Sequence, residues 1–352
     1  MNSRCHKTVF SKRLGTIVVV SEITGNSGKA AGGYSGGGFC AAWSQFVGVL
    51  ASVCAFLLTA FAAPVYATPA VNLPVVGVSV PAKAITLPAT ALPTGGQVVQ
   101  GAASITQSGA AMNINQSTAK AVVNWQNFDI GSSAKVTVEQ PSAQSVLLSR
   151  VVGDNPTQIW GQLSANGQIV LVNPNGVTFG KDGSVSAASL TASTMGISDA
   201  DFMVGKMNFS RNDSTAAVLN QGSLKAAPGG YVALLGVSVS NEGTITVPQG
   251  TAYLAAAETV KLPLTGTGKI KLELLPSTVN AMVANQAQGV IVAEGGQVFM
   301  QASAVPGMVA RVLQAGSVDT SGEQGGKVTL LAEGGDIRVS GSITANSTGK
   351  ND

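Results

Sequence analysis

Short glycine-led β runs recur along this chain at intervals of about twenty residues, and that period constrains the fold more than any other feature. One kind reads Gly229-Gly230-Tyr231-Val232-Ala233-Leu234, Gly295-Gly296-Gln297-Val298-Phe299-Met300 and Gly325-Gly326-Lys327-Val328-Thr329-Leu330. The other reads Asn220-Gln221-Gly222-Ser223-Leu224, Asn241-Glu242-Gly243-Thr244-Ile245 and Gly341-Ser342-Ile343-Thr344. Gly222 and Gly243 are 21 residues apart, and Gly230 and Gly250 are 20 apart. A β-sandwich turns every ~8–12 residues and has no reason to repeat at twenty. Two short strands per repeat, neither able to bury its apolar face alone, describe the coils of a parallel β-helix. At ~21 residues per coil, residues 92–352 hold about 12 coils, a rod of roughly 60 Å at ~4.8 Å per coil.

Composition agrees with an all-β chain and removes the alternatives. Glycine is 43 of 352 residues, while charged residues are 11% and aromatics 5%. Disorder needs high charge, and helical bundles need Glu, Lys, Arg and Leu, so both are excluded. The net charge of +3 is unevenly held. Residues 1–67 carry Arg4, Lys7, Lys12, Arg13 and Lys29 against Glu22, which leaves the rest slightly acidic. Cys5, Cys40, Cys54 and His6 also lie in that leader, so a chain starting after it has neither cysteine nor histidine.

Residues 46–63 form an uncharged apolar run followed by Pro64-Val65-Tyr66-Ala67. Small residues three and one before the cut, after an apolar run, predict signal-peptide cleavage between Ala67 and Thr68. About forty residues precede that run, among them Ile17-Val18-Val19-Val20-Ser21-Glu22 and Ser27-Gly28-Lys29-Ala30. In order and chemistry this leader resembles the extended signal peptide region of large exported Gram-negative proteins, both autotransporters and two-partner secretion exoproteins. Residues 68–91, with Pro69, Pro74, Pro81 and Pro88, read as a linker or irregular N-terminal cap.

The segment from Leu92 to Thr194 is dense in local motifs. It contains Asn124-Trp125-Gln126-Asn127-Phe128-Asp129-Ile130-Gly131, Leu148-Ser149-Arg150, Ile159-Trp160-Gly161, and Leu171-Val172-Asn173-Pro174-Asn175-Gly176-Val177-Thr178-Phe179-Gly180. In this order they resemble the secretion domain, or haemagglutination activity domain, of the filamentous haemagglutinin family. The resemblance implies a right-handed parallel β-helix with an N-terminal β cap. It divides the chain into an extended signal peptide (1–67), the linker or cap segment (68–91), a two-partner secretion domain (92–215) and further coils (216–352). It also implies export by the Sec machinery, capture by periplasmic recognition domains of an outer-membrane transporter, and a secreted or surface-held adhesin-like product. Host-surface glycans or proteins are the outer partners such a role allows.

The motif residues also have a purely physical reading. Asn173, Pro174, Asn175 and Gly176 suit a type I turn, with Asn bonding the backbone, Pro presetting φ and Gly at the last position. That turn is the candidate secretion motif. Trp125, Phe128 and Trp160 read as cap or core anchors. Asp199 and Asp201, two apart, would share a face in a strand and are the one carboxylate pair to weigh for acid chemistry, although Ile197 to Phe202 reads better as a polar turn.

Catalytic constellations are otherwise missing. Without Cys or His after Ala67 there is no Ser-His-Asp triad, thiol nucleophile or typical zinc site. Gly266-Thr267-Gly268-Lys269 lacks phosphate-loop spacing, and no basic block suggests nucleic acid. No cofactor or metal is implied. Asn346 to Asp352 reads as a polar tail. Three functions remain open: a two-partner secretion exoprotein that is not an enzyme, a secreted β-helix polysaccharide lyase or hydrolase, and an autotransporter passenger.

Overall fold

The computed structural model describes residues 6–11, 16–21, 87–262, 272–323 and 325–349. The apolar run of the leader, the Ala67–Thr68 cut and residues 68–86 lie outside the described residues.

From Lys120 onward the chain winds as a parallel β-helix. In one middle coil Gln168–Val172, Val177–Phe179 and Ser184–Ala187 follow one another, each in a different sheet. The next strand, Ser189–Ser193, returns to lie parallel to the first with Gln168 opposite Ser189, one coil later. The three sheets have eleven, ten and seven strands. The eleven include an antiparallel pair of leader strands, His6–Ser11 and Thr16–Ser21.

Alternating side chains point inward, and stacking coils turns each inward position into a column. In the ten-stranded sheet one column runs Val136, Leu163, Val185, Leu224, Ile245 and Ile291, each opposite the next. All are fully buried. Each contributes roughly 1.5–3 kcal/mol by leaving water. No single coil could be stable without neighbours, because its column residue would have an apolar partner on neither side.

The two recurring glycine types occupy two of the three corners. Gly230, Gly250 and Gly296 stack where the ten-stranded sheet passes to the eleven-stranded one. A Cβ on Gly250 would overlap the Gly230 carbonyl, and one on Gly296 would overlap that of Gly250. Gly183, Gly222 and Gly243 stack in the same way at the entry to the ten-stranded sheet. Beside this second corner runs a column of buried amides. Asn220 donates to Asn241 (2.7 Å), Asn241 to Asn285 (2.8 Å) and Asn285 to Gln314 (2.9 Å).

Two expectations change here. Each coil has three strands, where the repeats suggested two. The third strand is short, as in Ser238–Asn241, and its corner carries no glycine signature. The coils are also fewer. Among the described residues eight parallel strands stack in the longest sheet, from Lys120–Trp125 to Lys327–Glu333. At ~4.8 Å per coil they rise about 35 Å, not 60 Å. The missing coils went into the N-terminal cap and two excursions.

Both excursions leave at the third corner, one after Ser189–Ser193 and one after Thr251–Ala256. They supply Met207–Ser210, Thr259–Leu262 and Glu273–Leu275, which pair antiparallel as a small separate sheet. Its apolar side packs on the outer face of the longest sheet and forms a second core containing Leu148, Val170, Phe202, Phe209, Tyr253 and Phe299. Tyr253 and Phe299 stack at 5.4 Å with their planes 11° apart. Burial pushes the Tyr253 hydroxyl up to about 12.

The N-terminal cap closes the other end. Gln97–Gln100 runs antiparallel to Lys120–Trp125, and Ala103–Ser108 with Ala111–Gln116 forms a hairpin over the first coil. Residues 87–91 lie against that coil, the Ala91 carbonyl accepting from the Gly131 amide (2.9 Å). At the far end Thr348 donates to the Gly322 carbonyl (2.8 Å), so Asn346 to Gly349 continue the coil and are not a free tail.

Candidate functional site at the Asn-Pro-Asn-Gly corner

The Asn-Pro-Asn-Gly segment is the third corner of a middle coil, between Gln168–Val172 and Val177–Phe179. Its closing bond runs from the Gly176 amide to the Asn173 carbonyl (3.1 Å), as a type I turn requires. The Asn173 side chain is fully buried. Its oxygen accepts from the Asn175 amide (2.9 Å), while its Nδ2 donates to the Asn155 carbonyl (2.9 Å) and Thr157 Oγ1 (3.0 Å). Asn175 Nδ2 donates to the Gly153 carbonyl (2.8 Å), and Ser214 Oγ donates to the Pro174 carbonyl (2.6 Å). Gly176 has φ +123°, which side-chain-bearing residues rarely adopt. The turn is therefore riveted to the coil before it and to the first excursion. Only Pro174 and Asn175 present exposed surface.

Beside the turn lies an open cleft of about 430 Å³. Pro174 and Val172 border one side, and Gly196 to Ser198, Asp201, Asn208 and Ser210 border the other. Arg150, pointing out from the longest sheet, enters it and forms an ion pair with Asp199 (2.5 Å) and a bond to the Ile197 carbonyl (2.9 Å). Asp199 and Asp201 do not share a strand face. They begin a short helix, Asp199–Met203, whose N-cap Ser198 accepts from the Asp201 amide (3.1 Å). Ser at the cap and acidic residues in the first turn explain why this segment curls. Asp201 accepts from Asn208 Nδ2 (3.2 Å). The two carboxylates have separate partners and form no acid pair.

The aromatic candidates separate. Trp125 and Phe128 lie in the main core under the cap, edge to face at 5.4 Å. Trp160 is half-buried on the outside, over Gly180, and borders a small hollow of about 220 Å³ with Leu87, Ser132 and Gln158. Nearby Asp129 accepts from the Gln158 amide (2.8 Å). Burial raises its carboxyl above the usual carboxylate value, and that bond opposes the rise only in part.

Sequence reasoning missed a clasp between the excursions. Arg211 Nε bonds Glu258 (2.9 Å), its NH2 donates to Thr278 Oγ1 (3.0 Å), and Glu258 accepts from the Thr278 amide (3.1 Å). Burial alone would raise the Glu258 carboxyl, but Arg211 and Thr278 outweigh it and hold it below its ordinary value. Arg211 and Glu258 are 47 residues apart, and no local pattern links them. The amide column did leave a signal, the Asn-x-Gly of Asn220-Gln221-Gly222 and Asn241-Glu242-Gly243. Among the described residues no three His, Cys, Asp or Glu side chains gather as a metal site.

Comparison with known proteins agrees with this geometry. Residues 89–350 match the family described as TPS secretion domain, and residues 1–51 match the extended signal peptide of type V secretion systems. A heme/hemopexin-binding protein of Haemophilus influenzae is 32% identical over 203 residues, covering 55% of this chain and 22% of that protein. A second protein of that description from the same species is 37% identical over 111 residues, covering 32% of this chain and 12% of its own length. The chain thus spans about a fifth or less of those relatives. The HMW1 secretion domain from Haemophilus influenzae superposes with a TM-score of 0.55 at 23% identity, covering 72% of this chain and 84% of that one.

Proposed function

Because this chain belongs to the TPS secretion domain family and carries an extended signal peptide, and is therefore a two-partner secretion exoprotein exported to the cell surface or the medium, we propose how that export is organised. An outer-membrane transporter is the second partner of such a protein. In our reading the Sec machinery carries the chain to the periplasm, and the signal is cut between Ala67 and Thr68. The periplasmic recognition domains of the transporter then capture residues 92–215, and residues 216–352 follow as further coils. The product is adhesin- or haemagglutinin-like and meets host-surface glycans or proteins.

The observation that carries this reading is the unbroken secretion-domain match from 89 to 350 behind a matched leader. Chemistry supports it. The family is one of secretion domains, not of enzymes, and the carboxylates of Asp199 and Asp201 are divided between Arg150 and Asn208. Charged side chains are few and there is no cysteine beyond Cys54, which suits a chain threaded unfolded through the oxidising periplasm, where a disulfide would lock it. The Haemophilus relatives are described as binding heme and hemopexin.

The test is the amount of protein in medium and periplasm with and without the cognate transporter. Release that depends on the transporter supports the reading. Equal release without it overturns the two-partner mechanism.

A further inference from the structure

The leader strand Thr16–Ser21 pairs not with the N-terminal cap but with Lys327–Glu333, the last coil strand of the longest sheet. We propose that this contact is autoinhibitory: a precursor that folds before export docks its own leader on the coils and so withholds it from the export machinery. The consequence rests on the export reading; the contact itself does not.

The edge suits a strand. Lys327–Glu333 is seven residues long and pairs along its whole length with Gln297–Ser303, which turns its other row of backbone groups toward the leader. Proteins guard such edges with charge or proline, because a bare one templates further pairing. Here Lys327 and Glu333 stand at the two ends, and Val328 to Ala332 between them carry no charge and no proline. The leader run Thr16-Ile17-Val18-Val19-Val20-Ser21 is β-branched in five of its six residues, the types that favour strands. It lies antiparallel, Val18 opposite Thr329 and Val19 opposite Val328, whereas the coil strand on the other side pairs parallel. Its outer side is taken by His6–Ser11 over six residue pairs. That outer strand carries Lys7, and Lys12 and Arg13 follow it in sequence, so the charge missing from the coil edge stands on the hairpin. The leader hairpin thus ends the sheet. Any strand stacking after Lys327–Glu333 needs the same backbone groups, so the two exclude each other. Because that edge exists only in the folded coil, docking and folding are linked. The leader stabilises the folded coils, and unfolding sets the leader free.

The test has two readouts on the full precursor, residues 1–352, refolded in mild detergent. The first is hydrogen exchange read by mass spectrometry, with the chain from Thr68 onward as comparator. We expect peptides covering 327–333 to exchange at least about tenfold more slowly in the precursor, and those covering 16–21 to be protected with them. The double change Val18→Pro, Val19→Pro lies outside the coils and should return 327–333 to the comparator's rate while 297–303 stays unchanged. The second is photocrosslinking of residues 16–21 to the Sec machinery in membrane vesicles. Precursor diluted from urea should crosslink, and precursor already folded should do so at least about tenfold less. Equal exchange of 327–333 in the two chains, protection that survives the prolines or that rises with protein concentration, or equal crosslinking of folded and unfolded precursor would overturn the proposal. None of these outcomes alters the dependence of release on the transporter, so the export reading stands or falls separately.

Discussion

Arg211 joins two excursions that the chain makes 47 residues apart, and replacing it tests whether the outer sheet is held by that clasp or only by apolar packing. Arg211→Met keeps much of the aliphatic bulk and removes the bonds to Glu258 and Thr278. The Arg211 side chain is 8% exposed and that of Glu258 is 29% exposed. Removing one member of a fully buried pair costs about 3–5 kcal/mol. Here the stranded carboxylate keeps some water and its two bonds from Thr278, so the expected loss is about 2–3 kcal/mol. The reasoning needs a coupling, not only a loss. We therefore expect a double-mutant cycle of Arg211→Met with Glu258→Gln, read by urea unfolding, to show a coupling of at least about 1 kcal/mol. Hydrogen exchange at the Met207–Ser210 amides should quicken in the single variant before that of the coil strands. Additive losses within about 0.3 kcal/mol, or an unchanged outer sheet, would refute the clasp as a specific link.

Four further outcomes follow from the same geometry. Because the Glu258 carboxyl is held low, its stabilising effect is complete above the ordinary carboxylate value of about 4.3 and is lost as pH falls through its lower folded value; the urea-midpoint gap between wild type and Glu258→Gln should narrow toward pH 3. Gly250→Ala forces a methyl onto the Gly230 carbonyl and should cost about 1–3 kcal/mol in the same assay, whereas Gly229→Ala meets open space and acts only through its φ of +75°. The double change Asn175→Val, Gly176→Val removes a bond to Gly153 and places a branched residue at φ +123°, which should cost about 2–4 kcal/mol and reduce protein in the medium; normal release would make the corner dispensable for export. N-terminal sequencing of secreted protein should begin at Thr68, and a start before residue 46 would remove the signal-peptide assignment.

What was legible in the sequence is what repeats or what is local. Two corners announce themselves because stacked backbones leave no room for a Cβ, which forces glycine at intervals set by the coil. The Asn-Pro-Asn-Gly turn is readable because its closing bonds lie within four residues. Apart from that one turn the third corner stayed hidden, because its residue types do not recur from coil to coil, and two of its passages are replaced by excursions. Their second core was unreadable in advance. Its residues, from Leu148 to Phe299, come from distant coils and share no period. The segment from Ile197 to Phe202 reads as a polar turn and instead holds a short helix, because Ser198 caps it and acidic residues stand in its first turn.

The column of buried amides bears on a hazard peculiar to stacked repeats. Apolar columns are nearly indifferent to alignment, since Val185, Leu224 and Ile245 could trade places with little loss. A coil could then slip by one layer and still bury its apolar face. The amides do not allow it. Asn220, Asn241, Asn285 and Gln314 are separated by unequal lengths of chain, 21, 44 and 29 residues. The column is bounded by Phe179 on one side and Val339 on the other. Displacement by one layer sets an amide against a hydrocarbon at an end of the series, stranding a buried group at about 1–3 kcal/mol. The two apolar ends of the column thus work like the shoulders of a key: many positions nearly fit, and only one turns the lock.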